Sequence, residues 1–148
     1  MKKIISLLVI VAASTLMTQA QELQWHTNLE EAKEVAKENK KTILLYFTGS
    51  DWCAPCKMLK KDFWNSQEFL RIADNFVLVE LDEPRRMDII SDEQRKYNRS
   101  VAKKYNKQGS YPLVVAMSYK GKVLDELSGY SMLRDTSLHF ALVNRFVK

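Results

Sequence analysis

The chain has 148 residues, of which 46% are hydrophobic and 28% charged, and a formal net charge of +5 at pH 7. Two of those charges belong to Lys2 and Lys3, and the remaining +3 is too small to indicate a nucleic acid or an acidic polymer as partner. The chain has two cysteines and no internal repeat, low-complexity tract or flexible linker, which indicates one compact domain.

The N-terminal segment, residues 1–20, has the pattern of a secretory signal peptide. A positively charged start precedes an apolar run over residues 4–13, and Thr18 and Ala20 are the small residues typical of a cleavage site. The run is too short to span a bilayer comfortably. We therefore expect cleavage after Ala20, export to the periplasm or beyond, no stable membrane insertion afterwards, and one domain over residues 21–148.

The first half of that domain has the pattern of a helix, a strand and a helix. A helix is predicted from Leu29, because apolar residues recur there at helical spacing and Asn28 has the side chain of an N-cap. Residues 42–48 are a continuous β-branched and aromatic run, which is typical of a strand buried on both faces. A helix is expected over residues 53–62, and Asn65 predicts a second helical start.

The second half alternates in the same way and contains a hairpin. Residues 76–81 predict another buried strand, and residues 82–90, with a proline and several charges, predict a solvated loop. Ser91 has capping-box spacing to the helix that follows. Two strands on either side of a short turn, and then a last helix, complete the chain. The strands are expected at residues 113–117 and 122–127, and the apolar stripe of the last helix is expected at Leu138, Ala141, Leu142 and Phe146.

This order of elements predicts an α/β fold. Strands that alternate with helices form a sheet that is parallel in its first part, and the C-terminal hairpin makes the central sheet mixed, with helices flanking both faces. In such sheets, functional sites form beyond the carboxyl ends of the strands. The turn that carries Cys53 lies at such an end.

The two cysteines, Cys53 and Cys56, are separated by two residues at a predicted helix start. Unpaired N–H groups and the helix dipole favour a thiolate there, and the thiolate is the form that attacks a disulfide. Pro55 fits the first helical turn, and Lys57 adds a cation. A bridge across so short a loop is a weak structural staple, and a metal site needs more ligands. We favour redox chemistry, in which Cys53 attacks a substrate disulfide and Cys56 releases the product.

The remaining chemically suggestive side chains are interpreted as packing or surface residues. His26 and His139 are expected at the surface or at an interface, because neither belongs to a motif. Trp25 and Trp64 are expected to pack in the core. Trp52 is expected both to pack on the sheet and to border the substrate.

A motif at the predicted site resembles that of the thioredoxin superfamily. It reads Trp52-Cys53-Ala54-Pro55-Cys56-Lys57, and Tyr111-Pro112 follows later, before a strand. With residues 47–53, the chain is similar in particular to exported bacterial thioredoxin-like proteins, and the resemblance covers residues 25–146. It implies a thioredoxin-like fold, Cys53 as nucleophile, Cys56 as resolving thiol and Pro112 as a cis proline beside the sulfurs. It also implies that the backbone of Tyr111 pairs with an extended substrate chain.

Two positions depart from the pattern of thioredoxins proper. The strand before the motif carries Tyr46 and Phe47 in the region where thioredoxins carry a buried aspartate that acts in proton transfer to the resolving thiol. The proton for Cys56 is then expected from water, from Glu80 on the neighbouring strand, or from the substrate. The approach to the proline, residues 109–112, is one residue longer than usual, which predicts a different substrate groove.

The expected function is that of an exported thiol-disulfide oxidoreductase that reduces or isomerises protein disulfides. Its expected partners are proteins with disulfides or thiols and an upstream thiol reductant. No metal is expected, and no cofactor besides the Cys53–Cys56 disulfide. Two alternatives stay open: a non-catalytic, chaperone-like module that grips extended peptides, and a dedicated electron donor to one client such as apocytochrome thiols.

Overall fold

The computed structural model describes residues 22–148, so the predicted signal peptide lies outside the described residues. No helix among the described residues has both the length and the apolar character that crossing a membrane requires. The strands are β1 (Trp25–His26), β2 (Thr42–Thr48), β3 (Phe76–Asp82), β4 (Leu113–Met117) and β5 (Val123–Ser128). The helices are α1 (Leu29–Asn39), α2 (Ala54–Leu59), α3 (Gln67–Ile72), α4 (Asp92–Tyr105) and α5 (Ser137–Asn144), with a π-helical turn at Lys60–Trp64 and a 3₁₀ turn at Ala73–Asn75.

The five strands form one sheet in the order β1-β3-β2-β4-β5. β1, β3 and β2 run parallel, β4 is antiparallel to β2, and β5 is antiparallel to β4. The predicted mixed sheet with a parallel first part and a C-terminal hairpin is therefore confirmed. β1 has no counterpart among the predicted strands, because two residues are too few for an alternating pattern.

Successive residues of β2 point into two separate cores, one on each face of the sheet. Tyr46 faces the core that contains both cysteines and residues of α3 and α5. Phe47 faces the core that β2 and β3 form with α1 and α4. Both side chains are fully buried, and burying a large side chain of this kind contributes about 1.5–3 kcal/mol. Helices flank both faces, as predicted.

The helix that carries the second cysteine changes its winding. It was expected to be regular over residues 53–62, but it is α-helical only over Ala54–Leu59 and continues as the π-helical turn Lys60–Trp64. Asn65 closes that turn by donating its N–H to the carbonyl of Lys60 at 3.0 Å. The extra residue in this turn leaves both Phe63 and Trp64 buried in the core.

Two of the predicted helix starts are present, and one is wrong. Asn28 caps α1 and Ser91 caps α4, each through a side-chain oxygen that accepts a backbone N–H of the first turn. Asn65 does not begin α3. Ser66 does, because its hydroxyl accepts a first-turn N–H at 3.1 Å.

The last helix buries only part of the predicted stripe: Leu142 is buried and Phe146 packs against the core, as predicted. Leu138 is 65% exposed and Ala141 is also exposed, whereas His139 and Phe140 are buried. Phe63 fixes this orientation, since its ring centroid lies 4.8 Å from that of Phe140 and 5.5 Å from that of His139. The expectation that His139 lies at the surface is therefore wrong.

Candidate active site

The two cysteines form a disulfide where β2 passes into α2, through residues 49–53, which we call the redox turn. Their Cα atoms are 5.3 Å apart, and Cys53 and Cys56 are only 3% and 1% exposed. Cys53 is the N-cap of α2, and its Sγ accepts the N–H of Cys56 at 3.3 Å. Ala54 is exposed and Pro55 half-buried in the first helical turn. In the reduced protein, the same N–H group and the helix dipole favour a thiolate on Cys53.

Two aspartates fasten the redox turn to the segment that follows β3. Asp82 accepts the backbone N–H of Ser50 at 2.8 Å and the Ser50 hydroxyl at 2.6 Å. Asp51 accepts the backbone N–H of Arg86 at 2.8 Å. Lys57 is exposed, and its ammonium donates to the carbonyl of Asp51 at 3.3 Å. The sequence predicts a solvated loop from Asp82, but Asp82 ends β3, and together with Asp51 it holds the backbone beside the disulfide.

Trp52 is held from several sides at the rim of the site. Its Nε1–H donates to the carbonyl of Glu83 at 2.8 Å, and the guanidinium of Arg85 lies 4.8 Å from its ring centroid. The ring of Tyr111 packs edge-on against it, with the centroids 5.4 Å apart. Gly49 is required beneath it, because a Cβ there would lie 2.3 Å from the Trp52 ring. Trp52 therefore combines a packed ring with a position directly before the disulfide.

The Tyr111–Pro112 peptide bond is cis, and Pro112 is buried. Tyr111 is half-buried, and this burial raises the pKa of its phenol. The carbonyl of Pro112 accepts the N–H of Gly129 at 2.8 Å. Gly129 has a φ of 81°, which lies in the left-handed region that favours glycine. This hydrogen bond therefore joins the backbone at Pro112 to the first residue after β5.

Tyr46, on the strand that leads to the site, lies next to Cys56. The hydroxyl of Tyr46 donates to the carbonyl of Cys56 at 2.9 Å, and burial raises the pKa of Tyr46. Glu80, which is in register with Tyr46 on β3, forms an ion pair with Lys60 at 2.9 Å. Phe47 points to the opposite face. Glu80, one of the proton donors that the sequence suggests for Cys56, therefore lies on the same face of the sheet as the cysteines, and the cation of Lys60 is its partner.

A second aspartate-centred network lies on the other side of α2 and was not predicted. Asp62, in the π-helical turn, accepts the hydroxyl of Tyr130 at 2.8 Å and the Nε–H of Arg134 at 2.7 Å. The hydrogen bond from Arg134 lowers the pKa of Asp62, and burial raises the pKa of Tyr130 to about 12. Tyr130 and Arg134 lie 68 and 72 positions after Asp62 in the chain, so no local sequence pattern could have revealed these hydrogen bonds.

His139 packs against this network. Its ring lies 5.6 Å from that of Tyr130, and its two ring nitrogens have no hydrogen-bond partner among residues 22–148. Burial lowers the pKa of His139 to about 4, so the ring is neutral at pH 7. Over the same residues, histidine, cysteine, aspartate and glutamate side chains form no group of three or more that could hold a metal ion.

A mixed sheet with a Cys-x-x-Cys disulfide at the helix after its central strand defines the class of thioredoxin-like proteins. The sequence profile of the thioredoxin-like family matches residues 24–118, and the chain belongs to that family. The particular relatives it resembles include two proteins of Chlamydia pneumoniae. The disulfide bond reductase DsbH is 36% identical over 106 residues, which are 71% of this chain and 62% of DsbH. The thioredoxin-related protein DsbJ is 27% identical over 107 residues, or 72% of this chain and 30% of DsbJ.

The match to solved structures agrees with the match to sequences. A structure of DsbH oxidoreductase superposes with a TM-score of 0.72 at 30% identity and covers 86% of each chain. The sequence matches span less than two thirds of the length of either Chlamydia relative.

Proposed function

We propose that this protein is an exported thiol-disulfide oxidoreductase that reduces protein disulfides through Cys53 and Cys56. The observation that carries this proposal is the disulfide between them at the N-terminal end of α2. A bridge across two residues adds little constraint to the unfolded chain, whereas a helix start stabilises the thiolate that disulfide exchange needs. The similarity to DsbH, a disulfide bond reductase, supports the reductive direction.

The reaction transfers two electrons from the dithiol to the substrate. The Cys53 thiolate attacks one sulfur of the substrate disulfide, so that a mixed disulfide forms and the other substrate sulfur leaves as a thiolate that takes up a proton. Cys56 then loses its proton and attacks the Cys53 sulfur. The second substrate sulfur leaves and is protonated, and the Cys53–Cys56 disulfide remains. An upstream dithiol of another protein restores the reduced state.

The surrounding residues support this cycle by position. Trp52 directly precedes Cys53 and its ring contacts that of Tyr111, and the role we assign to the Tyr111 backbone next to the cis Pro112 is to pair with an extended substrate chain. Glu80, which is in register with Tyr46 and paired with Lys60, is the candidate on β3 for exchanging the Cys56 proton. The signal-like pattern of residues 1–20 supports export to the periplasm, where substrate proteins carry disulfides.

The direct test is the reduction of insulin by dithiothreitol, followed by turbidity. The wild-type protein is expected to accelerate precipitation, and Cys53→Ser to return the rate to that of dithiothreitol alone. Lys96→Ala, an exposed position on α4, serves as the control and is expected to match wild type. Equal rates for wild type and Cys53→Ser would overturn the proposal. Full complementation of a deletion strain by Cys53→Ser/Cys56→Ser would indicate the non-catalytic peptide-binding module instead.

A further inference from the structure

A cleft of about 430 Å³ lies between α4 and the loop that leads to Pro112. Three cationic residues line it: Arg99 and Lys103 on α4, and Lys107 just after the helix. All three are exposed. The cleft is therefore a depression with a basic wall.

The loop that forms the other wall is held in shape by one buried side chain. The amide of Asn106 accepts the N–H of Ser110 at 2.8 Å and donates to the carbonyl of Ser110 at 2.9 Å. Gly109 has a φ of 63°, and a Cβ on it would meet no heavy atom within 4 Å. Gly109 and Tyr111 both line the cleft, so it is bordered by the lengthened segment for which the sequence predicts a different substrate groove.

The cleft has an excess of positive charge. Glu83 is the one acid among the described residues that line it, and its carboxylate lies 3.5 Å from the Nε of Arg99. Lys103 and Lys107 form no ion pair with any residue in the range 22–148. The helix dipole accounts for a lysine in the last turn of α4, where Lys103 lies, but Lys107 lies beyond that turn. Two ammonium groups are therefore left for an anionic group from outside.

Two residues of the cleft contact Trp52, which directly precedes Cys53. The carbonyl of Glu83 accepts the Nε1–H of Trp52 at 2.8 Å, and the ring centroid of Tyr111 lies 5.4 Å from that of Trp52. Burial raises the pKa of the Tyr111 phenol, Glu83 raises it further and Arg99 lowers it, so the phenol lies within electrostatic reach of that ion pair. A substrate chain that pairs with the Tyr111 backbone, as proposed above, therefore lies beside the cleft.

The acids of the redox turn and of the end of β3 are already hydrogen-bonded within the protein. Asp51 accepts the backbone N–H of Arg86 at 2.8 Å, and Asp82 accepts that of Ser50 at 2.8 Å. The side chain of Arg85, in contrast, is exposed at the rim of the site. The surface between the cleft and the disulfide therefore favours an anionic partner as well.

We propose that this cleft binds an acidic side chain of the polypeptide whose disulfide Cys53 reduces. The proposal rests on the proposed function and specifies its substrate class, which is a disulfide with a glutamate or aspartate close to it. Complementary charges on two binding surfaces mainly raise the rate of association and the specificity. The preference is therefore expected in the rate constant of reduction at low substrate concentration.

The test uses two synthetic peptides with the same internal disulfide, flanked on both sides by glutamates in one and by glutamines in the other. Reduced protein is mixed with each peptide, the reaction is quenched with acid, and the reduced peptide is separated by chromatography. At low ionic strength the wild-type rate constant is expected to be about fivefold higher for the glutamate peptide, as pairing with an exposed cation predicts. The ratio is expected to fall close to one in about 1 M sodium chloride, where charges are screened within about 3 Å.

In Lys103→Gln/Lys107→Gln, the ratio of the two rate constants is expected to fall close to one at low ionic strength as well. The control is Lys37→Gln/Lys120→Gln, which removes the same charge from two exposed positions outside the cleft and is expected to keep the wild-type ratio. A wild-type ratio near one, or an unchanged ratio in Lys103→Gln/Lys107→Gln, would overturn the subsite. An equal loss in both double variants would show that net charge alone sets the ratio and would overturn it too.

A membrane surface is the other anionic occupant that the test separates. Binding of the wild type to phosphatidylglycerol vesicles that Lys103→Gln/Lys107→Gln loses, together with a peptide ratio of one, would assign the two lysines to anionic lipid. That result would overturn the substrate subsite.

Failure of the proposed function gives a different result. Reaction of the reduced protein with dithiodipyridine reports the reactivity of Cys53 with a small, uncharged disulfide that does not need the cleft. If this reaction and peptide reduction are both absent, the oxidoreductase proposal fails. The subsite is then decided by fluorescence anisotropy with labelled serine analogues of both peptides. Tighter binding of the glutamate peptide that Lys103→Gln/Lys107→Gln loses supports the subsite, and equal binding overturns it.

Discussion

Two segments, the redox turn before α2 and residues 130–136 beside the π-helical turn that follows α2, are each held by aspartate hydrogen bonds, but they display opposite kinds of surface. The redox turn is fastened by Asp82 and Asp51, and it presents backbone, small residues and the packed ring of Trp52. Residues 130–136 are fastened by Asp62 and leave apolar side chains exposed. The same device therefore serves two purposes: in one segment it fixes the sulfurs, and in the other it maintains an apolar surface in water.

This difference has a consequence for stability and activity. Contacts in the redox turn are dense, so a change there is expected to disturb the fold and the disulfide together. Apart from Tyr130, which packs in the core, residues 130–136 have few contacts and these are polar, so a change among them is expected to free that segment without unfolding the domain.

The largest effect is expected at Gly49. In Gly49→Ala, the new Cβ would lie 2.3 Å from the Trp52 ring, so the ring or the turn has to move. We expect the free energy of unfolding to fall by about 3 kcal/mol, as strong overpacking predicts. Chemical denaturation measures this value, and the rate of insulin reduction is expected to fall with it.

Gly129→Ala, at the position directly before residues 130–136, is the matched control. It places a Cβ where no heavy atom lies within 4 Å, so only the strain of a φ of 81° remains. The expected loss is about 1 kcal/mol. A larger loss at Gly129 than at Gly49 would contradict the contrast between the two segments.

The next effect is a dependence of stability on pH that His139 causes. Its pKa is lowered from the ordinary value of 6.5 to about 4 by burial. Between these two pKa values, the unfolded chain binds a proton that the folded protein excludes. The stability that depends on a neutral His139 is therefore fully present above pH 6.5 and is lost as the pH falls toward 4. Between pH 7 and pH 5 the loss is expected to be about 2 kcal/mol.

Denaturation of wild type and His139→Leu at both pH values isolates the contribution of His139 to the free energy of unfolding, because other titrating groups are common to the two proteins. The fall in stability between pH 7 and pH 5 is expected to be smaller in His139→Leu by that amount. An equal fall in both proteins would show that the imidazole is not held neutral by burial.

The smallest effect on stability is expected for Asp62→Ala, which removes the acceptor for Tyr130 and Arg134. We expect a loss of about 1 kcal/mol, since the carboxylate is near the surface. Amide hydrogen exchange of residues 130–136 is expected to accelerate, while that of the redox turn stays unchanged. Acceleration in both segments alike would indicate that they are not independently fastened.

Much of the fold could be predicted from the sequence because its central elements have strong local patterns. The predicted bounds of β2 and β4 match Thr42–Thr48 and Leu113–Met117, since both are continuous apolar runs bounded by turn residues. The caps at Asn28 and Ser91 were also recognised, because capping depends on one side chain and its own first turn. The disulfide at the end of β2 follows from the same local information.

The elements that sequence reasoning missed depend on distant contacts. The face of α5 that is buried is set by the packing of Phe140 on Phe63, and the helical spacing of apolar residues within α5 does not contain this contact. The same holds for Asp62, whose partners lie about 70 positions away in the chain. The sequence predicts a solvated loop at Asp82, because its two hydrogen bonds from Ser50 exist only when β2 and β3 are paired.

Trapping the mixed disulfide distinguishes the attacking sulfur, which we assign to Cys53, from the resolving sulfur, which we assign to Cys56. Cys56→Ser and Cys53→Ser are each incubated with a peptide disulfide, and the adducts are located by mass spectrometry. Cys56→Ser is predicted to accumulate an adduct on Cys53, because the helix N-terminus favours that thiolate and no resolving thiol remains. An adduct that forms on Cys56 in Cys53→Ser, and none on Cys53 in Cys56→Ser, would contradict the account.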